Sequence, residues 1–459
     1  MSLTTHLKIT LSASACLLVA LAVTPQVSQA VPSYARQTGL PCASCHTTYP
    51  ELTAFGRDFK LNGYTMTGVQ QIESARKGNE AGVKINEIPP ISAMLTTSVT
   101  QISKTMPGTQ NGDVSFPQEF SLFFAGEITP HMGSFVQVTY AQDSGNFDVD
   151  NTDIRYADHA TFAGADAIYG VTVNNNPTVE DPWNSTPAWG FPFTSSPVAP
   201  TPSAGPMISA LGQDVAGIGA YTMWNNHLYA NVSLYRSAHH GDDILPHNAN
   251  LDPDLTASTN TIKGLAPYWR LAWQQSFGSD NLEVGTFGME TKLYPEGVDG
   301  ATDKYTDTAL DAQYEHVMGG DMLTLRGSYI HEKQDLARTF TNTDPDFPSS
   351  DNPSDELDTL NLNGSYHLGT TGAFSLGYFS TTGDTDATLY GDNTSGKPDS
   401  SGYILQATYL PWQNTQFTLQ YTGYNKFDGS SSNYTSDPLI GVRDASDNDT
   451  LFLHAWLVW

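Results

Sequence analysis

The chain has 459 residues, more than one ordinary globular domain needs, and its 48 acidic against 20 basic side chains give a formal net charge of −28. That balance excludes a nucleic-acid partner, whose phosphates demand clustered Lys and Arg. Aromatic residues make up 11% of the chain, which excludes a disordered acidic tail, and 39 Gly with 27 Pro suit many short strands and turns better than long helices.

Residues 1–30 read as a secretory signal. Lys8 precedes an apolar run from Ile9 to Val23, and Val27-Ser28-Gln29-Ala30 supplies a small-residue cleavage pattern. Its removal takes Cys16 with it and leaves Cys42 and Cys45 as the thiols of an exported chain. No later stretch approaches the about 20 apolar residues of a spanning helix, so a membrane would be crossed by strands.

Residues 31–66 form a small segment around Cys42-Ala43-Ser44-Cys45-His46. This is the attachment pattern of haem c: two thiols add to the haem vinyl groups and the adjacent His ligates iron. The competing readings are a Cys42–Cys45 disulfide and a thioredoxin-like site, and the second lacks a βαβ context. Thr48-Tyr49-Pro50-Glu51 resembles a capping box opening a short helix. On that helix Leu52, Phe55 and Phe59 fall on one face that would lie against a porphyrin, and Gly63 is its stop. The helix is too short to stand alone, so bound haem would serve as its core. Met66 is the candidate second axial ligand, with His367 and His454 next in order. Arg36, Arg57 and Lys60 read as solvated surface charge, with pairing to haem propionates as the alternative.

Residues 67–89 are polar and Gly-containing and read as a linker. From residue 90 to 459 the pattern alternates with period two. Examples are Leu228-Ala230-Val232-Leu234, Leu323-Leu325-Gly327-Tyr329 and Leu451-Leu453-Ala455-Leu457-Trp459. Short turns near Thr129–Ser134, Trp224–His227, Ser276–Asn281, Val317–Asp321, His367–Gly372 and Leu410–Thr415 take turns with long polar connections. Those lie near Asn174–Gln213, Ser237–Leu265, His331–Leu357, Ser380–Ser400 and Asn425–Asn448. This alternation predicts an all-β, porin-like outer-membrane β-barrel of about 16 antiparallel strands, rather than a soluble sandwich. An even count puts both barrel ends in the periplasm and the long loops outside. The Asn174–Gln213 connection is rich in Pro and carries Trp183, Trp189, Phe191 and Phe193, so it either folds into the lumen or caps it. His239-His240-Gly241-Asp242-Asp243 and Asp344-Pro345-Asp346 read as solvated loop charge that raises the local cation concentration.

Tyr34-Ala35-Arg36-Gln37-Thr38-Gly39, the Cys42-x-x-Cys45-His46 motif, Pro50-Glu51-Leu52 and Phe55-Gly56-Arg57-x-Phe59-Lys60-Leu61-x-Gly63-Tyr64 resemble the fused outer-membrane cytochrome–porins, whose best-known members oxidise Fe(II). The close match covers residues 32–66, and the barrel matches in size and pattern. The resemblance implies one covalent haem c at Cys42 and Cys45, His46 as proximal ligand, and a haem segment that plugs or abuts the barrel. It also implies electron transfer from external Fe(II) to a periplasmic carrier such as a soluble cytochrome or copper protein. One haem alone cannot bridge about 30 Å of membrane, so the segment is expected inside the lumen. The other functions to weigh are a porin with a structural or sensory haem and a reductase of an extracellular acceptor.

Overall fold

A computed structural model describes residues 31–66, 89–109, 111–142, 145–238, 261–295, 300–343 and 348–459. The expected signal, most of the expected linker and both acidic loop motifs lie outside the described residues. Sixteen long strands run in chain order around one closed antiparallel sheet. They are β1 (Ile91–Ile102), β2 (Asp113–Thr129), β3 (Met132–Ala141), β4 (Phe147–Phe162), β5 (Ala165–Asn174), β6 (Val215–Trp224), β7 (Leu228–Ser237) and β8 (Ala266–Phe277), followed by β9 (Asp280–Tyr294), β10 (Asp303–Met318), β11 (Asp321–Asp335), β12 (Ser354–Leu368), β13 (Gly372–Gly383), β14 (Ser400–Trp412), β15 (Thr415–Lys426) and β16 (Thr450–Val458). A two-residue strand, Thr261–Ile262, pairs with the end of β9 ahead of β8.

Closure comes from β16 pairing with β1, in a register running from Met94 opposite Val458 to Ile102 opposite Thr450. Trp459 seals the seam, exchanging backbone hydrogen bonds with Ala93 at 2.9 and 3.0 Å. A closed sheet leaves no unpaired edge, which is the condition for crossing lipid with strands. Ile91 and Trp459 share a rim with the short turns, as the even strand number requires. The sequence signals missed one short turn, between β4 and β5. There Ala163 and Gly164 hold φ of 51° and 82°, and a non-glycine residue at the first position hid the turn.

The direction of the stripes separates this barrel from a soluble β-protein. On β7, Leu228, Val232 and Leu234 are exposed, whereas Tyr229, Asn231, Ser233 and Tyr235 are buried in the interior. The same inversion holds on β16, where Leu451 and Leu453 face out and His454 faces in. Apolar outside and polar inside is the pattern of an outer-membrane barrel, with lipid as its solvent.

The interior is filled by two inserts. The first is the N-terminal segment, with α1 (Pro32–Thr38) and α2 (Ala54–Leu61). Gly39 closes α1 in the left-handed region at φ 71°. Thr53 caps α2 by accepting from the Gly56 N–H, so the expected capping box at Thr48–Glu51 is corrected: the chain there is irregular and α2 opens at Ala54. Thr48 and Glu51 do bond each other, 2.5 Å apart, but off the helix. The second insert is the 175–214 connection, which folds inward. Its Val179, Trp183, Ile208 and Leu211 are fully buried, and a short helix α3 (Met207–Ala210) lies on β10 and β11.

Candidate functional site: a cavity over the two cysteines

Residues 31–66 lie inside the barrel, tied to its wall at many separate places. Arg57 forms a bidentate pair with Glu315 at 2.8 and 2.7 Å, and Tyr64 donates to Asp153 at 2.6 Å. Glu51 meets Arg326 and lies 3.6 Å from His367. Burial raises the Glu51 carboxyl, but Arg326 and His367 outweigh it and hold the group below its ordinary value. Near the short-turn rim, the Cys42 and Tyr49 N–H groups donate to Gln413 and Gln416 at 3.1 and 2.9 Å. The inward connection grips the segment from the other side: Lys60 donates to the Val179 and Asp181 carbonyls at 2.7 and 2.8 Å, and Leu52 N–H to Asn184 at 3.0 Å.

These contacts correct the reading of Arg57 and Lys60 as surface charges. Both are buried: Arg57 pairs with a carboxylate, and Lys60, which also lines the cavity described below, donates to two carbonyls. Arg36, the more exposed of the three, donates to the Ile91 carbonyl at 2.5 Å.

The segment does not fill the space beside it. A cavity of about 450 Å³ opens over the haem motif, in the size range of cofactor and ligand sites. Cys42, Cys45 and His46 all line it, and so do Leu52, Phe55 and Phe59, the apolar face expected to lie on a porphyrin. Trp189 and Phe193 of the inward connection close another side. The wall side is made by β1, β2, β3, β4 and β16, including Phe123, Asp150, His454 and Trp456.

The donor set suits a covalent haem. Cys42 and Cys45 are not disulfide-bonded, and burial pushes both thiols up to about 11, as expected where the sulfurs face an apolar space. His46 Nδ1 lies 3.2 Å from the Glu51 carbonyl, so an Nδ1–H donated there leaves Nε2 as the lone-pair nitrogen. Burial lowers its pKa to about 4, keeping the imidazole neutral and able to ligate metal. Gly56 lets α2 approach the motif, because a Cβ there would sit 2.3 Å from the Cys45 carbonyl oxygen. Two buried polar atoms on the wall side, Gln118 Oε1 and Trp456 Nε1, have no hydrogen-bond partner, as a site shaped for an absent group would leave them.

Met66 is not on the cavity. It follows the turn after α2, half-buried, where Gly63 rests against the backbone of Arg155, Ala157 and His131. His367 is also off the cavity, beside Glu51. His454 lines it. Among the described residues no cluster of three or more His, Cys, Asp or Glu side chains could hold a bare metal ion.

No family model matches this sequence, and no curated protein does. Among solved structures the chain is similar to Salmonella typhi OmpF in complex with daunomycin, at 13% identity and a TM-score of 0.46, covering 80% of this chain and 97% of that one. It is also similar to the anion-selective porin of Comamonas acidovorans, at 11% identity and 0.44 over 80% and 98% of the two chains. A third is the channel DcaP of Acinetobacter baumannii, at 11% and 0.43 over 80% and 96%.

Proposed function

We propose that residues 31–66 carry one haem c, attached at Cys42 and Cys45 and ligated by His46, inside a porin-like barrel of the outer membrane. In this reading the protein takes single electrons from a donor outside the cell and delivers them to a periplasmic carrier. The donor is Fe(II), the electron source of the cytochrome–porins that residues 32–66 resemble. The observation that carries the reading is the apolar cavity over Cys42, Cys45 and His46 within the lumen.

Bound there, haem c supplies a one-electron Fe(III)/Fe(II) couple. The chain supplies the rest. Phe55, Phe59 and Trp189 exclude water, and the Glu51 carbonyl fixes the His46 tautomer that can ligate. Gln413, in the β14–β15 turn, holds Cys42 at the short-turn mouth. With short turns periplasmic and long loops outside, a soluble cytochrome or copper protein docks at that mouth. Each Fe(II) gives up one electron and each carrier takes up one. Ferric product then forms outside the periplasm, where its precipitation does no harm.

The test is anaerobic stopped-flow mixing of purified holoprotein with Fe(II), following the haem absorption bands. Reduction that slows as salt screens the acidic chain supports the reading. Haem that stays oxidised in excess Fe(II) would leave a porin with a structural haem as the better account.

A further inference from the structure

We propose that His454, on the inner face of β16, is the second axial ligand, opposite His46. The inference rests on the haem reading above and replaces Met66 as the candidate. It follows from where three side chains lie. Met66 and His367 are off the cavity, while His454, on the barrel wall, lines it together with His46 of the insert.

The state of the ring fits that placement: His367 is equally without hydrogen-bond partners but does not border the cavity. His454 is only 1% exposed, yet its Nδ1 has no hydrogen-bond partner. A buried imidazole normally finds one, because an unpaired polar nitrogen loses its water and gains nothing. Its register neighbour on β1 is Ser98, whose Oγ is also without a partner, so the obvious internal bond is not made. On the other side Thr418 of β15 faces it across the ladder. The ring is clamped by aromatics instead. Phe452 stacks at 5.4 Å and 26°, and Trp456 meets it edge-on at 6.0 Å and 86°. A fixed, buried ring bordering an apolar cavity is an arrangement suited to a metal ligand.

The ligand also has a structural consequence. Cys42, Cys45 and His46 belong to the insert, whereas His454 belongs to the wall, at the strand that closes the barrel onto β1. Iron bonds from His46 and His454, with the thioether bonds of Cys42 and Cys45 to the porphyrin, would staple the insert to the seam.

The experiment uses holoprotein purified from a host that matures c-type cytochromes, and reads haem staining after denaturation together with absorption and paramagnetic-resonance spectra. Wild type is expected to stain and to show a low-spin signature with two imidazoles and no sulfur–iron charge-transfer band. His454→Ala should keep the covalent haem, become high-spin, bind carbon monoxide on mixing, and recover the low-spin spectrum on adding imidazole. His454→Met, a closer match in volume, should instead gain the sulfur–iron band. Staining with an unchanged low-spin spectrum in both variants would overturn the His454 assignment, as would a sulfur–iron band in wild type that Met66→Ala removes. A wild type that does not stain at all would overturn the haem reading itself.

Discussion

Two sides of the same lumen are built differently. Between β4 and β11 buried arginines meet the protein's own carboxylates. Arg155 meets Asp153 at 2.7 Å, and Arg270 meets Asp311 at 2.7 Å with Asp181 and Glu283 at 3.3 Å. Arg57 and Glu315 complete the row. Along β1, β2 and β16 the wall instead borders a cavity, where Gln118, His454 and Trp456 each keep a buried polar atom unpaired, and Ser98 beside His454 does the same. Low dielectric makes both states consequential. Paired charges brace the inserts and need nothing more. Unpaired polar atoms occur on both sides, Arg270 Nε and Asp307 Oδ1 among them, and those of Gln118, His454 and Trp456 border the cavity.

The largest break in that contrast is on the charged side. Arg270→Met would leave Asp181, Glu283 and Asp311 together without their cation, and removing one partner of a buried pair costs about 3–5 kcal/mol. Urea unfolding followed by gel mobility should show that loss. A smaller effect is expected from Gly56→Val, whose Cβ meets the Cys45 carbonyl. Overpacking of this kind costs about 1–3 kcal/mol. Since it pushes α2 off the motif, the yield of haem-stained protein should fall while barrel insertion stays intact.

Lys60 sharpens the comparison through pH. Burial, with Arg155 beside it, lowers its ammonium to about 7, against an ordinary value of 10.5. The undocked segment therefore binds more protons than the docked one between those values. Docking is weakest near and below pH 7 and strengthens as pH rises toward 10.5. Protease resistance of residues 31–66 should follow that rise in wild type, and Lys60→Met should flatten it. The smallest effect belongs to the cavity side. Ser98→Ala removes a hydroxyl with no partner, so it should shift unfolding of the haem-free barrel by less than about 1 kcal/mol, in either direction. A large loss there would mean that the wall is as tightly braced as the other side.

The barrel is legible in the sequence because its alternation is strong and its apolar residues cluster on one face of each strand. Leu228, Val232 and Leu234 spell out a lipid-facing stripe in the string alone, and all three are exposed in the fold. The Cys42–Cys45–His46 motif is plain in the string, and the structure sets all three residues on one cavity. The aromatics of the proline-rich connection hint at its inward path without deciding it. What stays hidden are pairings across large sequence separations. Nothing in the string links Arg57 to Glu315 or Glu51 to Arg326. The fate of Lys60 is hidden for the same reason, because its partners are backbone carbonyls of another insert. Met66 leads the sequence-based candidates for second ligand because proximity along the chain stands in for proximity in space. His454 is visible there only as a histidine on an inward stripe.

Whether the cavity holds covalent haem is most directly decided by the intact mass of denatured, purified protein made alongside a control c-type cytochrome. The account expects the mass of the chain plus one haem, reverting to the bare chain in the Cys42→Ala/Cys45→Ala double variant. A wild-type chain that carries no added mass, from a host that loads the control, would contradict it.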